Sequence, residues 1–174
     1  MNNYTTGNWT VSDDYTDTVT DQSGLVMPIL SYAKDYAKIT NDTNEASIKN
    51  KTGANIASSE KIRFGSTVIK NVYSGTNTDL SAQLPSKAGV QTLIELNEVY
   101  RAVNSVSGLE YEIPCTARLV MRIPTSQPVK NDIIVDLIER LIGALYDDVN
   151  PGRSHTAMNT LFGLVKGALL PEGV

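Results

Sequence analysis

Between Cys115 and Leu170 the hydrophobic pattern changes from period two to the helical period, and this change confines the chain to folds that follow a half-buried strand with amphipathic helices. Cys115, Ala117, Leu119, Met121 and Ile123 fall on one side of an extended chain, and Thr116, Arg118, Val120 and Arg122 fall on the other. Pro124 has no N–H to give a ladder and closes the strand. Ile133, Ile134, Leu137, Ile138, Leu141, Ile142 and Leu145 then recur at helical steps, opposite Asp132, Asp136, Glu139 and Arg140. Asn131 is placed to cap this helix, and Asp132 suits the positive end of its dipole. Asn150-Pro151-Gly152 breaks it. A second helix, capped by Ser154 or Thr156, has Met158, Leu161, Phe162, Val165 and Leu169 on its apolar side and ends at Pro171. Each large apolar side chain gains about 1.5–3 kcal/mol on full burial, so both stripes require a partner surface. The apolar side of a sheet is the one large candidate.

Upstream, Lys61 to Gly65 and Thr67 to Tyr73 read as one strand with a bulge at Gly65. Ser74 to Gly89 reads as a turn-rich loop containing a short strand. Val90 to Ala102 is a second long strand, with Gln91, Leu93, Glu95, Asn97, Val99 and Arg101 on its more polar side. Val103 to Pro114, with Asn104, Ser105, Ser107 and Gly108, reads as a flexible loop between two long antiparallel strands. Glu45 to Asn55 reads as a small hairpin turning at Lys51-Thr52-Gly53. Residues 1–44 are rich in Asn, Thr, Asp and Ser and form a polar arm or a pair of short exposed strands. The expected architecture is α+β: an antiparallel meander over about residues 45–124, then helices at about 131–147 and 155–169. Such a meander leaves open edges, and joining two sheets edge to edge in a dimer removes them.

Several chemistries lack their residues. The single cysteine, Cys115, excludes a disulfide framework and a thiolate metal cage; it reads as a buried, inert thiol. His155 is the one histidine, at a helix start, so a catalytic triad or a histidine metal site is poorly supplied. There is no phosphate-binding glycine motif, and Asp13-Asp14 and Asp147-Asp148 read as solvated acids. No enzyme activity, metal or cofactor is expected, nor is an export signal or a membrane span.

The net charge is −4, but its distribution is uneven. Residues 1–59 carry four Lys/Arg against seven Asp/Glu (−3), residues 60–130 eight against six (+2), and residues 131–174 three against six (−3). Cationic charge is therefore gathered in the expected sheet. Arg118 and Arg122 share a strand side with Thr116, Lys61 and Arg63 share another, and Gln91, Asn97 and Arg101 a third. Guanidinium forks suit phosphate, amides and hydroxyls suit base edges, and Tyr73 or Tyr100 offers a ring for stacking. An ordinary wetted sheet face shows the same pattern. A dimeric RNA-binding module that assembles no further is one reading of this face.

The order of elements and several segments resemble the coat proteins of single-stranded RNA bacteriophages, the levivirus group. The segments are Glu60 to Gly65, Gly89 to Asn97, Pro114 to Thr125, Asp136 to Leu145, and Leu161 to Pro171. The resemblance implies an N-terminal hairpin, an antiparallel sheet and two C-terminal helices that reach over the sheet of a dimer partner. It also implies a homodimer that builds an icosahedral shell, most often T=3, around single-stranded genomic RNA. The protein would then belong to the virion and to the bacterial host cytoplasm during assembly, and one RNA hairpin bound to the sheet would repress translation. By position, it assigns RNA contact to Thr116, Arg118 and Val120, to Gln91, Leu93 and Glu95, and to Lys61 and Arg63. The Val103–Pro114 segment matches the loop that gathers at the symmetry axes. The 44-residue arm is longer and more polar than the start of compact family members.

Overall fold

The computed structural model of the chain describes residues 3–6, 9–12, 30–52, 60–125, 131–145 and 159–167. It divides into two compact units, Met1–Asp17 with Leu30–Ser126, and Thr18–Ile29 with Gln127–Val174. The first holds strands β1 (Asn3–Thr6), β2 (Trp9–Ser12), β3 (Tyr36–Asn41), β4 (Glu45–Asn50), β5 (Lys61–Ile69), β6 (Gly89–Asn104) and β7 (Glu110–Pro124), with a one-turn helix α1 (Tyr32–Asp35). The second holds helices α2 (Asn131–Gly143) and α3 (Asn159–Val165).

Strands β3 to β7 form an antiparallel meander in sequence order. β6 is its spine. β7 pairs with it from Gly89↔Pro124 to Val103↔Glu110, which takes one hydrogen-bonding edge along nearly the whole strand. β5 takes the other edge from Ile69↔Gly89 to Lys61↔Asn97. β2 also pairs with β6, from Ser12↔Arg101 to Trp9↔Asn104. Since β7 already fills one edge, β2 continues the edge that β5 vacates, and β1 pairs onto β2. The polar N-terminal stretch thus supplies three strands, and β3, ending at Asn41, pairs with β4 across the boundary drawn at residue 45.

Four details of the sequence reading are corrected. Val103–Pro114 is not a flexible loop: both strands extend into it, leaving a tight turn over 105–109 with Gly108 at φ +69°. The Asn104 side chain accepts from Val106 N and Ser107 N, so its turn chemistry is local and compact. Pro114 is tolerated inside β7 because that strand lies at the sheet edge. Gly65 is not a bulge, since β5 keeps one register with β6 throughout; the irregularity lies in β3, between Lys38 and Thr40. Glu45–Asn50 is one strand shared by β3 and β5, not a hairpin of its own. The 70–88 loop contains a 3-10 turn at Leu80–Ala82, capped by Asp79, in place of the expected short strand.

Alternation gives the sheet two faces. Ile62, Phe64, Ile94, Leu96, Ala117 and Leu119 lie on one, as their registers require. Tyr32 of α1 meets Phe64 and Tyr36 edge-on on this side, at ring-centre distances of 6.1 and 5.8 Å. Among the described hydrophobic residues only Tyr36, Ile62 and Ala102 are buried, while Ile94 and Leu96 remain 41% and 38% exposed. In the second unit α2 carries Ile133, Leu137 and Leu141 exposed, and an Arg140–Asp136 pair one turn apart supports it. Leu161 N donates to Leu145 O, tying the start of α3 to the end of α2. Gly167, at φ +91°, ends α3 where an L side chain would be strained. Ser154, His155, Thr156, Met158 and Leu169 lie outside the described residues, as do Asp13-Asp14 and Asp147-Asp148.

Gly89 opens β6 in a place with no room for a side chain. A Cβ there would lie 2.2 Å from Val72 Cγ1 and 2.6 Å from Ile123 O. Gly89→Ala is therefore expected to destabilise the first unit by about 1–3 kcal/mol, the usual cost of overpacking. Chemical denaturation of wild type and variant measures it.

Candidate nucleic-acid interface

Directly opposed residues in a ladder share a face, so the registers assemble the other side of the sheet row by row. One row is Lys49, Lys61, Asn97 and Thr116, and the next is Ser47, Arg63, Glu95 and Arg118. Thr67, Gln91 and Arg122 form a third toward one end, and Arg101 with Glu112 lies toward the other. All nine residues singled out for RNA contact (Lys61, Arg63, Gln91, Glu95, Asn97, Arg101, Thr116, Arg118 and Arg122) fall on this face.

Their side chains form a connected network. Thr116 Oγ1 donates to Asn97 Oδ1 at 2.7 Å, and Asn97 Nδ2 donates to Glu95 Oε1 at 2.8 Å. The other carboxylate oxygen, Glu95 Oε2, lies 2.8 Å from Arg118 Nε and 3.8 Å from Arg63 Nη1. Arg63 turns its second terminal nitrogen to Glu45, at 2.8 Å. Arg101 pairs with Glu110, and Arg122 Nε donates to the neutral Gln91 Oε1 at 3.0 Å. Lys61 makes no ion pair among the described residues. Glu95 sits beneath the cations, its side chain 9% exposed against 63% for Arg118.

The electrostatics follow from these partners. The hydrogen bond from Asn97 holds the Glu95 carboxyl below its ordinary 4.5, with Arg118 and Arg63 adding to it and burial opposing. The bond from Arg63 likewise lowers Glu45, and Glu45 raises Arg63. The face carries six cations (Lys49, Lys61, Arg63, Arg101, Arg118, Arg122) and four carboxylates (Glu45, Glu95, Glu110, Glu112), a net of +2 in a chain whose total is −4.

No family model matches this chain, and no curated protein does. Solved structures do. The virus-like particle of bacteriophage AVE015 aligns with a TM-score of 0.73 at 23% identity, over 92% of this chain and 93% of that one. That of bacteriophage GQ-112 gives 0.66 at 17% identity, over 88% and 93%. The bacteriophage EMS014 coat protein gives 0.50 at 14%, over 90% and 99%. The chain has the fold of these phage particle proteins.

On this phage particle fold, sequence reasoning missed Glu45 and Lys49, which β4 brings onto the polar face. Only the β4–β5 register reveals them, since neither lies near the other members in sequence. Both suggested stacking rings are corrected. Tyr100 pairs with Ile113 on the opposite face, and Tyr73 is committed to its own loop, its hydroxyl oxygen accepting from Leu84 N at 3.1 Å. Cys115, on the edge strand β7, is exposed rather than buried.

A carboxyl whose folded pKa is lowered adds stability that is complete above its unfolded value and is lost as pH falls through the folded one. Glu95 is such a group. Wild type is therefore expected to melt above Glu95→Gln at neutral pH, and the difference should close as pH drops below 4.5. Thermal melts across that range test it.

Proposed function

We propose that this chain is a structural coat protein that assembles as homodimers into an icosahedral shell around single-stranded RNA, with the polar sheet face turned to the RNA. The fold it shares with the bacteriophage AVE015 particle protein over 92% of its length carries this reading. The clustered guanidinium, amide and hydroxyl groups support the RNA partner, because they are what phosphates and base edges bind. The reading assigns no catalytic step to any residue. Repression through one RNA hairpin is the finer form of the same proposal, with Asn97, Thr116 and Gln91 as base-edge contacts.

The dimer follows from unsatisfied surface. β7 offers a 15-residue edge with β6 on one side only. The apolar sheet face and the apolar side of α2 are each half-exposed in a single chain. A second copy joined along β7, its helices laid over the first copy's sheet, covers all three.

Expressed alone, the chain is expected to form closed particles containing nuclease-protected RNA, seen by electron microscopy and by the ultraviolet absorbance ratio. Small species of uniform size at neutral pH would instead favour the non-assembling RNA-binding dimer. Leu137→Asp with Leu141→Asp places two charges on the exposed stripe of α2 and should convert particles to monomers on size exclusion. Arg118→Ala with Arg122→Ala should keep dimer and fold while lowering RNA content. Loss of folding in that variant would contradict the assignment of faces.

A further inference from the structure

We propose that Glu95 is a counter-charge built beneath the sheet face, holding Arg63 and Arg118 in place while limiting their pull on phosphate, so that Arg122 and Lys61 make the first contacts with RNA. The inference rests on the reading of this face as an RNA surface and adds its regulation.

The geometry divides the cations into two kinds. Glu45, Arg63, Glu95 and Arg118 form a chain of alternating sign across four adjacent strands, with Arg63 shared between both acids. Two guanidiniums and two carboxylates sum to zero, so the middle of the platform is electrically neutral. On either side stand cations without a carboxylate: Arg122 rests on neutral Gln91, and Lys61 has no ion pair among the described residues. RNA affinity grows with each phosphate whose counterions the protein releases. A guanidinium already neutralised by a carboxylate contributes little to that release, whereas an unpaired one contributes in full.

Glu95 is not placed to read a base itself. Its side chain is 9% exposed, Oε1 accepts from Asn97, and Oε2 faces both arginines. Arg118, by contrast, meets Glu95 through Nε while 63% of its side chain is exposed to an outside acceptor. The carboxylate therefore fixes where the fork points and subtracts from its charge. Glu95 is a positioning residue in this scheme, and Glu45 does the same for Arg63 alone.

The test is binding of a short oligouridylate to the full chain, held below its assembly concentration and titrated across salt. Glu95→Gln keeps an amide oxygen for the arginines and removes the charge. It should bind several-fold tighter than wild type, with the slope of log K against log salt steeper by about 0.7–1.4, one to two phosphates on a single strand. Glu45→Gln should steepen it by about 0.7 or less. Arg118→Ala should cost less than Arg122→Ala in wild type and as much in the Glu95→Gln background. Unchanged affinity and slope in both glutamate variants, each still folded at the assay temperature, would reduce Glu95 to a structural floor and overturn the proposal. Weaker binding by Glu95→Gln would also overturn it, since the carboxylate would then assist RNA. Should Glu95→Gln fail to fold, Glu45→Gln decides by the same criterion. A wild-type chain with no salt-dependent binding overturns the RNA reading itself, and that failure is visible before any variant is compared.

Discussion

A strand has two hydrogen-bonding edges, and β6 uses both along almost all of its sixteen residues. Every other strand of the sheet depends on that arrangement. β7 fills one edge, β5 and β2 share the other end to end, and β4, β3 and β1 attach outward from those. Because the side-chain period is two, the same registers decide which residues meet on each face. A slip of one residue between β6 and β7 would move Arg118 and Arg122 to the apolar side and bring Leu119 and Met121 to the polar one. The face that gathers the cations is thus a consequence of ladder register, and register is held on both edges of one strand.

That dependence explains what was legible in the sequence. The alternation in Cys115–Ile123 and the stripe from Ile133 to Leu145 are local signals, and both elements stand where they were read. The polar side of each long strand was equally local, so all nine residues meet on one face. Nonlocal facts were not readable. The pairing of β2 with the far end of β6 joins residues some ninety positions apart, and no local pattern in Trp9–Ser12 announces it. Asn104, Ser105, Ser107 and Gly108 were recognised as turn formers, but cross-strand pairing, not composition, set how few residues the turn uses. Tyr100 was offered for stacking on the strength of its ring although it belongs to the more apolar side of its strand. Its even position among odd-numbered polar neighbours already placed it opposite.

The first unit is also notable for how little it buries. A sheet of this size usually covers one face with a packed layer, yet Tyr36, Ile62 and Ala102 are its only buried hydrophobic residues among those described. Buried polar groups are as prominent: Ser47, Asn50, Glu60, Glu95 and Glu98. Such groups require partners: Ser47 bonds Thr40, Asn50 accepts from Thr52, Glu60 accepts from the Tyr36 hydroxyl, and Asn97 and Arg118 meet Glu95. On the proposed reading, the missing apolar cover comes from a second copy, so folding and assembly are coupled through the same surface. The edge of β7 then has two functions at once. In the proposed dimer it would complete the ladder and align the polar faces of two chains into one continuous platform.

A continuous platform repeated through a shell changes what each site should do. On the proposed reading many copies engage one RNA and linked contacts multiply, so modest attraction per copy would yield strong retention overall. Strong attraction per copy would instead fix RNA at the first sites it touched and slow the rearrangement that closure requires. The neutral centre of this face fits that demand. Glu95 and Glu45 leave the arginine forks ordered, which preserves directionality, while the surplus of +2 per chain supplies a shallow attraction that salt easily screens. Placement of the acid under the cations, rather than beside them, lets both effects come from the same side chain.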